Sequence, residues 1–401
     1  MSETVYTSLT EILSNRHLQV LDIEILPPSF TPPLVHDGSS LGITKKALVQ
    51  AFIPARQIFF SVLKNNNTPQ ERDDTSPAPE RAQTALATEV ILIFDSEHLT
   101  ACNWRKRRLY HLQHIHPLPS SSSSPSSSSR DEYINAIKAE ITFTTSLLRS
   151  PLHRHAKSPT LWQHRKWVMS QLLLGEGGIG PMEALMILHP ALRGEVDGLS
   201  TGTVEDLLHA ELSVVLRAGE HHPNNYYAFS YIREFMALLN TFSTLVTRVD
   251  KQNTTSIAGA EVGIPEFKPL FTQDLAKCIL DEIHRWCLVH PRDISGWAFL
   301  LFLLEEMGDG DEDNATKLSV VRRTVRYAMD VVWEGESLWT FIDLATREFP
   351  IIEAAELYTV LEGEEDTELT RRVGDLALPP RKWEVQMSRT KARQRIDHSS
   401  R

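Results

Sequence analysis

Cysteine is scarce. Cys102, Cys278 and Cys287 are the three in 401 residues, and no two stand in CxxC spacing. An odd, scattered set argues against a disulfide framework and fits a reducing compartment. Long apolar runs are missing too, since no stretch approaches the roughly 18 residues that would span a membrane. Met1 to Leu13 has no apolar secretory core, and Asp397 to Arg401 has no prenylation box, so a cytoplasmic protein is expected. Basic residues are outnumbered, 41 Lys and Arg against 52 Asp and Glu, for a net charge of −11. Such a chain gains nothing from releasing phosphate counterions, which excludes duplex nucleic acid as its main partner. Strand alternation is absent after residue 95. The glycine run Gly175 to Gly180 follows no strand and precedes no Gly-Lys-Ser/Thr, so it is a linker and not a phosphate loop.

Helical spacing is what the chain does have. Leu275, Cys278, Ile279, Ile283 and Trp286 fall on one helical face, as do Ile134, Ile137, Ile141 and Leu148, and Val204, Leu207, Leu208, Leu212 and Val215. Each such helix is followed by a short polar break and a second helix opening on an aromatic residue. The spacing predicts an all-α fold, an α/α superhelix or solenoid of antiparallel helix pairs. Residues 1–84 read as an amino-terminal arm, partly irregular, with a strand or extended stretch over Val20–Leu26 and a helix over Lys45–Leu63 that Pro54 kinks or restarts. Residues 119–130, almost pure serine, read as a disordered insertion within a solenoid spanning 85–350. Loops are expected at Asn65–Glu80, Gly175–Pro181 and Asp250–Pro265, and a terminal helix with a basic, disordered tail over 351–401.

The second helices share a signature. One unit reads Ser158-Pro159-Thr160-Leu161-Trp162-Gln163-His164-Arg165, and the next reads Pro223-Asn224-Asn225-Tyr226-Tyr227-Ala228-Phe229, continuing to Arg233. A fourth contains Asp293-Ile294-Ser295-Gly296-Trp297, an earlier one Asn103-Trp104-Arg105-Lys106-Arg107, and a last one Glu336-Ser337-Leu338-Trp339. In a solenoid the aromatic wedges between helices, burying on the order of 150–250 Å². Trp104, Trp162, Phe229, Trp297 and Trp339 are therefore structural. So are Arg107, Arg165 and Arg233, which follow on the aromatic's own face and need acceptors in an adjacent repeat. Leu300 and Ile342 stand where the last two units would carry arginine. The basic run Arg105–Arg108 reads as a solvated face. The pairs His114/His116, His153/His155 and His221/His222 read as surface or turn residues, and Cys102 as a small core residue.

These units, Trp162-Gln163-His164-Arg165 and Asn225-Tyr226 above all, resemble the repeats of protein prenyltransferase α subunits. The order of units is most similar to the branch that serves type III geranylgeranyltransferases. The resemblance implies a non-catalytic α subunit that scaffolds a β subunit and docks a cysteine-bearing protein substrate. No cofactor is expected in this chain, and the catalytic zinc is expected on the β subunit. The family places a lysine five residues before the repeat tryptophan near the isoprenyl diphosphate, which here is Lys157. Its usual tyrosine partner is replaced by Pro159, and the family's Asn-Tyr pair falls on Asn225 and Tyr226. A free-standing helical-repeat adaptor that binds other proteins without prenyl transfer stays open as the alternative.

Overall fold

A computed structural model of the chain describes residues 2–65, 78–114, 127–152, 154–175, 204–256 and 272–349. Among these residues the protein is helical apart from one small sheet. The chain divides into two compact units, Met1–Leu270 and Phe271–Arg401.

The first unit opens with α1 (Ser2–Asn15), then β1 (Asp22–Leu26), β2 (Leu34–Asp37) and β3 (Ser40–Thr44). β3 lies in the middle, parallel to β1 and antiparallel to β2. Gly38-Ser39 makes the β2–β3 turn, where Gly38 adopts φ +57, a conformation glycine takes without a Cβ penalty. β1 falls within the stretch expected to be extended, whereas β2 and β3 lie outside it, although the buried Leu41 and Ile43 alternate in β3. α2 (Lys45–Asn65) is one helix with Pro54 inside it, so the chain does not restart there. α3 (Ala78–Phe94), α4 (Leu99–His114), α5 (Ser127–Leu148), α6 (Pro159–Leu174), α7 (Val204–His221) and α8 (Tyr226–Ser256) then form three hairpins. α4 packs on α6 and α6 on α8, while α5 packs on α7, so second helices line up with second helices and first with first. Residues 1–84, expected to be partly irregular, supply α1, the sheet, α2 and the start of α3. α1 and α2 pack on each other and on α3.

The second unit holds two further hairpins, α9 (Thr272–Val289) with α10 (Ile294–Glu306) and α11 (Asp311–Asp330) with α12 (Glu336–Glu348). Leu275, Ile279, Ile283 and Trp286 are buried along α9 as their spacing requires. α9 closes tightly on α10, because a Cβ at Gly296 would stand 2.5 Å from the Trp286 ring. Three expected boundaries move. α3 begins at Ala78, inside the loop expected to end at Glu80, α8 continues through Asp250 to Ser256, and α5 takes in Ser127–Arg130 of the serine tract. Most of the loop expected at Asn65–Glu80, residues 119–126, most of the glycine linker, residues 257–265, and the terminal helix and tail expected over 351–401 lie outside the described residues.

Candidate functional site

Helix caps set the register of every repeat. Among the described residues a side chain accepts the third helical N–H at four of the five second helices: His98 from Ala101, Ser158 from Leu161, Asn225 from Ala228 and Asp293 from Gly296. Gly335 caps the fifth without a side chain. Four residues after the cap stands the wedge: Cys102, Trp162, Phe229, Trp297 and Trp339, all buried. The three tryptophans among them donate the indole N–H to the carbonyl six residues upstream, at Ala156 (2.8 Å), Pro291 (3.0 Å) and Trp333 (2.9 Å). Six residues after the cap come Trp104, His164, Tyr231, Phe299 and Phe341. Trp162 meets Tyr231 of the next repeat at 5.0 Å between centroids, and Trp297 meets Phe341 at 4.9 Å in the same way.

This register corrects three arginine assignments, of which Arg105 is the first, since it is buried and not part of a solvated face. The seventh position holds Arg105 and Arg165, then Ile232, Leu300 and Ile342, all buried. Arg107 is exposed, because Cys102 and not Trp104 occupies the wedge position of its unit. Arg233 is half-buried one residue beyond the inward position, which Ile232 fills.

Arg165 and Arg105 make equivalent networks. Arg165 Nε and Nη2 reach both oxygens of Glu211 on the next hairpin's first helix, while Nη1 donates to Ile141 O, Thr144 Oγ1 and Thr145 Oγ1 of its own first helix. Tyr231 donates its hydroxyl to the same Glu211. One hairpin earlier, Arg105 Nε and Nη2 reach Glu140, Nη1 donates to Ala85 O and Thr88 Oγ1, and His164 bonds Glu140 at 2.6 Å. Arg16, following α1, grips Glu89 as a repeat arginine grips its glutamate and so completes the network at the amino-terminal end. Burial alone would raise Glu140, yet Arg105 and His164 hold its carboxyl well below the usual range. Burial would lower Arg105 and Arg165, but Glu140 and Glu211 hold both firmly charged. Burial and the Glu211 charge push the Tyr231 hydroxyl well up, so it remains a donor. Glu140 and Glu211 leave a signal in the sequence: each interrupts an apolar stripe, as Ala-Glu-Ile or Ala-Glu-Leu.

The turns interlock as well. Ser158 Oγ donates to Ser96 O at 3.1 Å, and Asn225 Nδ2 to Ala156 O at 2.7 Å, each cap reaching the turn of the repeat before it. Asn225 is fully buried with both ends of its amide engaged, which corrects its assignment as a diphosphate contact. Lys157 and Tyr226 stand differently. Lys157 is half-buried and donates to Pro223 O at 2.9 Å. Tyr226, three residues further along that turn, is 76% exposed. The turn whose Pro223 carbonyl holds Lys157 thus also carries the exposed Tyr226, and Asn225 between them is bonded to Ala156 O.

Two of the three cysteines are buried and held as thiols. Burial pushes the Cys102 thiol up to about 12 and Cys287 well above its ordinary range. Among the described residues no three His, Cys, Asp or Glu come together as a metal site. No helix there is long and apolar enough to cross a membrane.

Comparison with known proteins meets the same residues. No curated protein matches the chain. The model of the protein prenyltransferase alpha subunit repeat matches residues 137–172 and 208–239. The first stretch holds Glu140, Trp162 and Arg165, and the second holds Glu211, Asn225, Phe229 and Tyr231. The chain therefore carries the protein prenyltransferase α-subunit repeat in the two hairpins whose arginine, glutamate and capping residues interlock.

Proposed function

We propose that this chain is the α subunit of a heterodimeric protein prenyltransferase, of the geranylgeranyl type, that scaffolds a zinc-bearing β subunit and docks the cysteine-bearing substrate protein. The observation that carries the reading is the bond from Lys157 of one matched repeat to Pro223 O in the turn of the next, three residues before the exposed Tyr226. A diphosphate leaving an isoprenoid develops negative charge, and a positioned ammonium with a neighbouring phenol donor stabilises it. Asn225 serves these residues indirectly by locking the Tyr226 turn onto the Lys157 turn. The carbon–sulfur bond forms between the isoprenoid C1 and the substrate thiolate as the diphosphate departs, and this chain's residues hold the leaving group. A β subunit's zinc would activate that thiol.

Reconstitution tests the reading. The chain co-expressed with a zinc-bearing prenyltransferase β subunit forms a stoichiometric complex that transfers geranylgeranyl to a cysteine peptide, and the chain alone transfers nothing. Turnover by the single chain, or a purified β subunit that neither binds it nor gains activity from it, overturns the proposal. The second of those results leaves a free-standing adaptor.

A further inference from the structure

One face of α2 takes no part in the repeat network. The helix holds Lys45, Lys46, Arg56 and Lys64 and no acidic residue, in a chain whose net charge is −11. All four cations are exposed. Among the described residues none of them enters an ion pair. Apolar side chains are interleaved with them. Val49 is 38% and Ile53 49% exposed, and Phe52, Phe60 and Leu63 are half-buried. At about 100° per residue these positions and the cations share one half of the helix surface. Ala47, Leu48, Ala51, Ala55, Phe59 and Val62 occupy the other half and are buried, where α2 packs on α1 and α3. Phe94 at the end of α3 extends the exposed face by stacking on Phe52 at 4.2 Å, and the Arg56 guanidinium lies 5.2 Å over the Phe60 ring.

We propose that this face of α2 docks on an anionic phospholipid surface. Its charge is complementary to acidic headgroups, and its phenylalanines and aliphatic side chains are placed to enter the headgroup–acyl boundary beside them. The centre of a protein–protein interface is depleted of charge, whereas here cations and apolar groups alternate along the helix from Lys45 to Lys64. The inference is independent of the prenyltransferase reading, because it uses none of the repeat residues.

Co-sedimentation of the full chain with vesicles tests it, using phosphatidylcholine alone and phosphatidylcholine containing phosphatidylserine. The wild-type chain should sediment with the phosphatidylserine vesicles, stay in solution with phosphatidylcholine, and be released as salt is raised. Lys46→Glu with Arg56→Glu should weaken the partition at least about thirtyfold, since each lost basic residue near an anionic surface is worth about 1 kcal/mol. Ile53→Ser should weaken it at an unchanged melting temperature. A wild-type chain that ignores both vesicles, or a charge-reversed variant that folds and binds as before, overturns the proposal. So does binding to an acidic protein partner that depends on Lys46 and Arg56 while vesicles are ignored.

Discussion

Arg165→Met is the perturbation whose outcome the structure defines most closely. Arg165 is fully buried, and its guanidinium donates to five acceptors on two helices. Methionine fills most of the volume but donates nothing. Glu211, itself fully buried, keeps the Tyr231 hydroxyl but loses its guanidinium, and Ile141 O, Thr144 and Thr145 lose their common donor. Removing one member of a buried pair costs about 3–5 kcal/mol, because the other charge stays in the interior uncompensated. At about 2–4 °C per kcal/mol for a body of this size, melting falls by roughly 10 °C. The triple change Arg165→Met, Glu211→Leu and Tyr231→Phe removes the charge and the hydroxyl together. It should recover most of that loss, as the apolar Ile232, Leu300 and Ile342 already do at the equivalent position of the later repeats. The assay is thermal and urea unfolding followed by circular dichroism. A single variant as stable as wild type, or a triple variant that melts as low as the single, refutes this account of the network.

Other outcomes follow from the same geometry. Arg105→Leu should cost about 3–5 kcal/mol, while Arg107→Ala should stay within about 0.5 kcal/mol, as urea midpoints would show. Asn225→Ala removes a cap and the bond to Ala156 O, so about 1–2 kcal/mol should be lost, with Asn225→Asp less harmful than Asn225→Ala. His284 is pressed down to about 4 by burial first and Arg323 second. The folded chain therefore keeps it neutral while the unfolded chain protonates it near its ordinary 6.5. Stability is full above that value and is lost as pH falls toward 4, by about 2 kcal/mol between pH 7.5 and 5. His284→Asn should flatten that window in melting curves.

Much of this was legible in the sequence where chemistry is local. Ser158-Pro159 announces a cap and a first turn, and Trp162-x-x-Arg165 places wedge and arginine on one face. The misread unit shows what is not local. Trp104 looks like the marker, but His98 is the cap, which puts Cys102 in the wedge and turns Arg105 inward. No tryptophan count reveals that, because His is an uncommon cap and Cys an uncommon wedge. Glu140 and Glu211 meet their arginines from 35 and 46 residues away, a pairing that only helix packing creates. The same limit applied to Asn225, whose buried bond to Ala156 crosses 69 residues. Its Asn-Tyr motif is visible, but which of the two faces outward is not.

The central claim is that the Lys157–Tyr226 edge lies against the isoprenoid diphosphate of a heterodimer. Steady-state transfer kinetics of the Lys157→Ala complex with its β subunit, beside its melting curve, test this most directly. Lys157 donates to an exposed carbonyl and supports no buried group, so the melting temperature should hold. Loss of one charge-assisted contact is worth roughly 1.5–3 kcal/mol, so donor binding or kcat/KM should fall about ten- to a hundredfold. A folded Lys157→Ala complex with unchanged kcat and KM across donor concentrations contradicts the claim and leaves this edge as scaffold.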